Sequence, residues 1–210
     1  MMKWGLLGVA LTLTLAACGG ADTSGTPATD GGESTESAAG GSRLQTVIDR
    51  GQLVCGVDGG IPGFSFVDES GTYSGLDVDV CRAVAAALFD DPDAVEYRRL
   101  DSTERFTALA GGEVDMLSRN TTWTLSRDTQ VGLEFAPTTF FDGQGMMVRT
   151  DSGISTLEDF AGKAICVETG TTTELNLTDQ MRKLGVEFEP VVFQDADAAY
   201  AAYDEGRCEG

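Results

Sequence analysis

Residues 118–128, "SRNTTWTLSRD", concentrate hydroxyl, amide and guanidinium groups in one short stretch. The stretch follows the apolar run 114–117, which we predict to be a buried strand. Hydroxyl and amide groups directly after a strand can donate several hydrogen bonds to one small anion, and Arg127 adds a planar cation that matches a carboxylate with two parallel bonds. A polar loop would have similar residue types, but the position after a buried strand favours an anion site.

Two other segments place hydrogen-bond donors at predicted helix starts. In "RLDSTER", Ser102 lies at a strand-to-helix turn and Arg105 lies one turn into the helix. In "ETGTTTE", Gly170 precedes three threonines, so free N–H groups, hydroxyls and the positive end of a helix dipole lie together. A solvated helix start and ordinary N-capping are the simpler alternatives. The Walker A pattern is missing, so we predict no nucleotide binding.

The composition excludes several classes of function. The 210 residues include 34 acidic and 14 basic side chains, for a formal charge of −20, and no histidine. A charge of this sign argues against nucleic acid as a partner, because binding phosphates needs cations. The lack of histidine removes Ser-His-Asp and Cys-His catalysis and His-containing zinc sites. We therefore expect no catalytic residue, no metal and no cofactor.

The N-terminal segment has the pattern of an export signal. Residues 1–17 consist of a lysine and then an apolar run, typical of a signal peptide. The run ends in "LAAC", which resembles a bacterial lipobox and predicts lipidation of Cys18, with an ordinary signal peptide as the alternative. Residues 18–42 are rich in Gly, Ser, Thr and Ala and predict a flexible tether. The protein is therefore expected outside the cytoplasm, periplasmic or at the cell surface, and tethered to the membrane by Cys18.

Predicted strands and helices alternate from residue 43 onward, which indicates an α/β fold with parallel sheets and flanking helices. The first cycle has strands near 52–57 and 94–100. Asp101 and Glu104 have capping-box spacing and open the predicted helix 102–110, "STERFTALA". The second cycle starts with the same spacing at Ser155 and Glu158. Two such units form a cleft, and ligands of open α/β sheets bind beyond the carboxyl ends of the strands.

The two cycles are similar to each other in sequence. "FTALAGGEVDMLSRNTT" in the first corresponds to "YAAYDEGRCEG" in the second, and the second stops at Gly210, two or three residues into the corresponding strand. We therefore expect the chain to be incomplete at its C-terminus. We also expect residues 18–210 to fold poorly alone and to bind ligand weakly.

Several long motifs carry a family resemblance. "GLDVDVCRAVAAALF", "RFTALAGGEVDMLSRNTTWTLSRDT", "FAPTTFFDGQGMMV" and "VETGTTTELNL" resemble the general and polar amino-acid-binding proteins of bacterial ABC transporters. The resemblance covers residues 43–210 and implies the two-lobed periplasmic-binding-protein type II fold. It places lobe 1 at 43–143, a hinge strand at 144–149 and lobe 2 at 150–210.

The resemblance also implies a set of ligand-binding residues. It assigns the α-carboxylate of an amino acid to Arg127, helped by Asn120 and Thr122, with Trp123 packed beneath them. The remaining assigned residues are Ser102 and Arg105, which members that take acidic ligands use, the second-lobe helix start at Thr171 and Thr172, and the side-chain pocket from Asp58 to Phe64. The acid that would hold the α-ammonium is expected beyond Gly210.

The function that the resemblance implies is transport rather than catalysis. A monomeric protein would bind a free L-amino acid, with an acidic or amide side chain or with broad specificity, and deliver it to an ABC transporter permease in the membrane. A dehydratase or lyase on the same fold would need a positioned carboxylate, and no motif residue is a candidate. The input domain of a receptor would need a membrane span, and no apolar run of about 20 residues follows residue 17.

Four cysteines besides Cys18 suggest disulfides in an exported chain, and four cysteines allow three pairings. The strand with Cys55 and the helix with Cys81 are expected to be neighbours. The segments with Cys166 and Cys208 are expected to be adjacent parallel strands. These placements favour the pairs Cys55–Cys81 and Cys166–Cys208.

Overall fold

The computed structural model describes residues 42–210. The predicted signal peptide, the lipidation at Cys18 and the tether up to residue 41 lie outside the described residues. Within residues 42–210, no helix has both the length and the apolar character that a membrane crossing requires.

The first α/β unit, which we call the first unit, is built on a three-stranded parallel sheet. Its central strand β1 pairs with β5 on one side and β6 on the other, and β2, β3 and β4 form a small antiparallel sheet. The elements are α1 Arg43–Arg50, β1 Leu53–Val57, β2 Gly60–Ile61, β3 Ser65–Val67, β4 Tyr73–Ser74, α2 Leu76–Phe89, β5 Val95–Arg99, α3 Arg105–Gly111, β6 Met116–Leu117 and α4 Leu125–Gln130.

The second α/β unit, the second unit, contains one parallel pair of strands, β7 and β8. Residues 209–210 run beside β7 on its other side, because the Glu209 N–H donates to the Ala164 carbonyl and the Cys166 N–H donates to the Gly210 carbonyl. The elements are a 3-10 helix Leu157–Phe160, β7 Ala164–Glu168, α5 Thr172–Leu184, β8 Glu189–Phe193 and α6 Ala196–Asp204. The predicted α/β architecture with parallel sheets and flanking helices is confirmed.

Each unit has its own apolar core. All five residues of β1 are buried, as expected for a central parallel strand that is covered on both faces. Val47 of α1 and Cys81 and Ala85 of α2 pack against it. The second core contains Ile165 and Val167 of β7, and it is covered by α5 and by the 3-10 helix. The strands β1 and β7 are thus held in place by these two cores.

Three local predictions need correction. The second capping box forms one residue later than predicted, between Thr156 and Asp159 rather than Ser155 and Glu158. The Asp159 carboxylate accepts from the N–H groups of Ser155 and Thr156, which a side chain at Glu158 does not do. Residues 144–149 are not a strand, because no neighbouring strand pairs with them in the described part of the chain. Helix α3 begins at Arg105, although Asp101 and Glu104 exchange the predicted hydrogen bonds.

The cysteines lie in the pairs that the sequence favoured. The sulfur atoms of Cys55 and Cys81 lie within bonding distance, with Cα atoms 6.2 Å apart. Those of Cys166 and Cys208 do so as well, with Cα atoms 5.6 Å apart. The first pair joins β1 to α2, and the second joins β7 to the segment beside it.

Candidate functional site

The carboxyl ends of β1, β5 and β6 meet at one edge of the first sheet, because the three strands are parallel and β1 lies between the other two. The loops that follow them carry Asp58, Ser102 and Asn120, which the sequence analysis selected. Arg105, Arg119 and Arg127 lie at the same edge, and we call these three residues the arginine cluster. They place three cations close together in a chain whose formal charge is −20.

Arg127 is positioned by the start of α4. The Thr124 hydroxyl caps this helix by accepting from the Arg127 N–H at 3.2 Å. The Arg127 guanidinium donates to the carbonyls of Thr122 at 2.8 Å and Gly170 at 3.3 Å. Burial lowers the pKa of Arg127, and the nearby charge of Arg119 lowers it further. Both effects would be relieved by an anion at this position.

Arg105 is buried, with 1% of its surface exposed. Its guanidinium donates to Thr121 Oγ1 at 3.2 Å and, at 3.4 Å, to the carbonyls of Asn120 and Gly170. Its Nε has no hydrogen-bond partner among the described residues. Burial lowers the pKa of Arg105 to about 9, and repulsion from the other two arginines contributes. A buried cation with a free donor is suited to bind an anionic group.

Phe106 contacts two members of the arginine cluster. The guanidinium carbons of Arg105 and Arg127 lie 5.1 Å and 5.4 Å from the centre of its ring, within cation–π range. The sequence analysis did not select Phe106. Its place directly after Arg105 at a helix start was the only available signal.

Arg119 was also missed, although it lies inside the stretch that first indicated the site. Its side chain is fully buried and forms an ion pair with Asp58. It donates to the Leu100 carbonyl at 2.8 Å, to Ser102 Oγ at 3.3 Å and to Asn120 Oδ1 at 2.9 Å. Burial lowers the pKa of Arg119, and the Asp58 carboxylate opposes this effect. The signal that could have found it is an arginine placed directly after a buried strand, where its charge must be paired.

The second unit contributes the loop Gly170–Thr172, which we call the threonine loop. Thr172 Oγ1 lies 3.1 Å from Thr122 Oγ1 of the first unit. Thr171 has its hydroxyl engaged locally, because it caps α5 and donates to the Glu168 carbonyl at 2.7 Å. What Thr171 contributes is therefore the helix start, whose first N–H groups have no partner within the helix.

Gly170 lies close to the first unit, and its carbonyl accepts from Arg105 and Arg127. Its backbone is left-handed, with a φ of 73°. A Cβ at this position would lie 3.1 Å from the Ser102 carbonyl oxygen. A larger residue would be strained and would press against the first unit. Beside it, burial raises the pKa of Glu168, while the Ser102 hydroxyl and Arg119 oppose this shift.

In the loop after β1, Asp58 has polar contacts and Phe64 has an aromatic contact. Asp58 accepts from the Gly60 N–H at 3.1 Å with one oxygen and pairs with Arg119 through the other. Phe64 packs edge-on against Phe140, with ring centres 4.9 Å apart. A cavity of about 480 Å³ lies beside this loop, and its lining is Asp58, Arg99, Leu100, Asp101, Glu104, Glu168, Asp195 and Asp197.

Trp123 does not lie where the sequence analysis expected it. Its surface is 53% exposed, so it does not pack beneath the predicted ligand residues. The loop from Thr121 to Thr124 has polar contacts to the arginine cluster, from Thr121 Oγ1 to Arg105 and from the Thr122 carbonyl to Arg127. Within residues 42–210, no group of three or more carboxylate, cysteine or histidine side chains is arranged to hold a metal ion.

Comparison with known proteins identifies close relatives. The chain is 49% identical over 173 residues to the general L-amino acid-binding periplasmic protein AapJ of Rhizobium johnstonii, covering 82% of this chain and 51% of that protein. It is 46% identical over 172 residues to the glutamate/glutamine/aspartate/asparagine-binding protein BztA of Rhodobacter capsulatus, covering 82% of this chain and 51% of that protein. The chain therefore spans about half the length of the curated relatives it matches.

A solved structure is similar to this chain in both fold and sequence. The ABC transporter periplasmic binding protein from Brucella ovis, with glutathione bound, has a TM-score of 0.75 and 50% sequence identity, covering 79% of this chain and 52% of that one. The fold is accordingly the two-lobed periplasmic-binding-protein type II fold. The model of the bacterial extracellular solute-binding proteins, family 3, matches residues 53–184. Because this match spans more than half of the chain, the chain belongs to that family.

Proposed function

We propose that this chain binds an L-amino acid between its two units and delivers it to the permease of an ABC transporter. One observation carries the proposal. The guanidinium groups of Arg105 and Arg127, from the first unit, both donate to the Gly170 carbonyl at the start of the second unit's threonine loop. Charged donors of one unit and the helix start of the other thus converge on one small region, as binding of a carboxylate requires.

In this proposal the α-carboxylate is bound by Arg127, Asn120 and Thr122, with Thr172 and the helix start at Thr171 on the opposite side. Ser102 and Arg105 bind a side-chain carboxylate or amide, and Asp58 and Phe64 line the side-chain pocket. Two cations within one site favour acidic or amide ligands. The relative BztA, named for glutamate, glutamine, aspartate and asparagine, supports this preference.

The cellular context is part of the same proposal. The protein acts outside the cytoplasm as a monomer, anchored by a lipid on Cys18, and its function is binding rather than catalysis. Disulfides Cys55–Cys81 and Cys166–Cys208 form in that oxidising compartment. Lobe 1 comprises residues 43–143, lobe 2 begins at residue 150, and residues 144–149 act as the hinge about which the lobes close.

A γ-glutamyl peptide is the second candidate ligand. The Brucella ovis protein, 50% identical to this chain, has glutathione bound. The cavity of about 480 Å³ beside Asp58 and Glu168 would provide space for a ligand longer than one amino acid.

A calorimetric screen of the complete protein, as its gene encodes it, tests the proposal. The panel is the twenty L-amino acids and glutathione. We expect the tightest binding for glutamate, glutamine, aspartate or asparagine, and weak binding for amino acids with large apolar side chains. If no member of the panel binds, the proposed function is wrong. If glutathione binds and no free amino acid does, the second candidate replaces the first.

A further inference from the structure

Arg119 connects three loops that supply predicted ligand residues. Its guanidinium contacts Asp58 after β1, Ser102 after β5 and Asn120 after β6. A fourth contact, to the Leu100 carbonyl at 2.8 Å, fixes the guanidinium against the end of β5. The Arg119 side chain is fully buried, whereas its carboxylate partner Asp58 keeps 14% of its side chain exposed. Arg119 therefore lies behind the residues that face the cleft.

The chemistry of arginine determines how its partners are oriented. A guanidinium has five N–H donors and no acceptor, so each partner must turn an oxygen toward it. Asn120 Oδ1 accepts from both Nε and Nη2 of Arg119, at 3.1 Å and 2.9 Å. The Asn120 amide nitrogen must then point away from Arg119. Ser102 Oγ also accepts from Arg119, and its hydroxyl proton is directed to the Glu168 carboxylate.

The consequence is that a ligand meets the amide N–H donors of Asn120. Without Arg119, the amide of Asn120 could rotate and present its oxygen, which repels a carboxylate. With Arg119 in place, this rotation would turn an NH₂ group toward the Arg119 Nε–H, whose acceptor is Asn120 Oδ1, and leave that N–H unsatisfied. Arg119 thus determines which polar group of the exposed Asn120 side chain faces a ligand.

We propose that Arg119 is a positioning residue that fixes Asn120 as a hydrogen-bond donor and thereby selects an anionic group on the ligand. The inference deepens the proposed function and rests on it. Arg119 acts through its neighbours and does not itself contact the ligand. Its ion pair with Asp58 keeps the guanidinium in place in a region shared with two other arginines.

The test measures L-glutamate affinity by calorimetry in the complete protein with Asn120→Asp, Asn120→Ala, Arg119→Lys and the double variant Arg119→Lys/Asn120→Ala. Asp at position 120 still accepts from Arg119 but offers no N–H to the ligand. Lys at position 119 keeps the charge but lacks the guanidinium fork. Arg82→Lys is the matched control, because Arg82 lies in the same unit and its contact is a surface ion pair with Asp93.

We expect Asn120→Asp and Arg119→Lys each to weaken glutamate binding by about tenfold to a hundredfold, the range for one hydrogen bond to a charged group. Asn120→Asp should melt at or above the wild-type temperature, because it strengthens the contact with Arg119. The double variant should bind about as weakly as Asn120→Ala alone, since Arg119 acts through Asn120. Arg82→Lys should bind as wild type does.

Wild-type affinity in Asn120→Asp or in Arg119→Lys would overturn the inference. So would strict additivity in the double variant, which indicates a purely structural role for Arg119. If Arg119→Lys fails to fold, Asn120→Asp decides alone, because it retains Arg119. A wild-type protein that binds no glutamate or other anionic ligand contradicts the proposed function instead, so the two failures are distinguishable.

Discussion

The arginine cluster and the threonine loop lie on opposite sides of the candidate site, and they are built from different chemistry. The cluster consists of cations, two of them buried, that are held by several contacts each. The threonine loop offers hydroxyls and a helix start, and its cross-unit hydroxyl contact, Thr122 to Thr172, is exposed. The first side is therefore preorganised and charged, and the second is neutral and more open to water.

This difference predicts which of the two sides contributes more to the binding free energy. Buried, charged donors lose little to solvent competition, whereas exposed neutral donors contribute a modest net amount. Substitutions in the arginine cluster should therefore weaken binding much more than substitutions in the threonine loop. The following predictions, in order of expected size, test this comparison in the complete protein.

Arg127→Ala should have the largest effect. It removes the guanidinium that we assign to the α-carboxylate and leaves that carboxylate desolvated and unpaired, at a cost of about 2–5 kcal/mol of binding free energy. Titration calorimetry with L-glutamate measures this loss. Arg82→Ala, on the surface of the same unit, is the control and should leave affinity unchanged. Equal affinities for Arg127→Ala and wild type would remove Arg127 from the site.

Arg105→Met should have an intermediate and ligand-dependent effect. It keeps much of the side-chain volume but removes the charge, so glutamate should lose about 1.5–3 kcal/mol and glutamine less. Titrating both ligands against the variant checks this. An equal loss for the two ligands would show that Arg105 does not recognise the side chain of the amino acid.

The same substitution has a consequence for stability. The pKa of Arg105 is lowered to about 9 in the fold from a usual value of 12.5, so the cost of burying its charge is present below pH 9. As the pH rises above 9, the folded state releases this proton before the unfolded state does, and the wild type gains stability relative to Arg105→Met. Denaturant unfolding of both proteins at about pH 7.5 and about pH 10 should show this shift. A constant difference would contradict it.

Thr172→Val should have the smallest effect. It replaces the hydroxyl that lies 3.1 Å from Thr122 Oγ1 with a methyl group of similar size. One neutral hydrogen bond contributes about 0.5–1.5 kcal/mol, so glutamate affinity should fall by no more than this. Thr173→Val, where the side chain is exposed in the next position of the helix, is the matched control. A loss larger than that of Arg127→Ala would reverse the comparison between the two sides.

The sequence predicted the location of the site better than its internal contacts. Alternating strands and helices imply parallel sheets, and in such sheets the loops after the strands must meet at one edge, so Ser102 and Asn120 could be placed together. The ion pair between Arg119 and Asp58 could not be derived, because it depends on the register of two strands and on side-chain direction. Thr156 and Ser155 are adjacent, equivalent caps, and the choice between them depended on the reach of Asp159.

Two errors have a common physical cause. Trp123 was expected beneath the ligand residues because the family resemblance places it there, but a resemblance does not specify which neighbours cover a side chain, and Trp123 is 53% exposed. Residues 144–149 were expected to be a hinge strand because the family resemblance places one there. A strand requires a partner that is distant in sequence, and hydrophobic pattern alone does not supply one.

The most direct test of the central claim is a crystal structure of the complete protein with L-glutamate. The account predicts that the α-carboxylate lies within hydrogen-bonding distance of the Arg127 guanidinium, with the Asn120 amide nitrogen and the Thr172 position beside it. It also predicts that the side-chain carboxylate lies nearer to Arg105 and Ser102. A ligand bound elsewhere, or bound at this site with its α-carboxylate away from Arg127, would contradict the account.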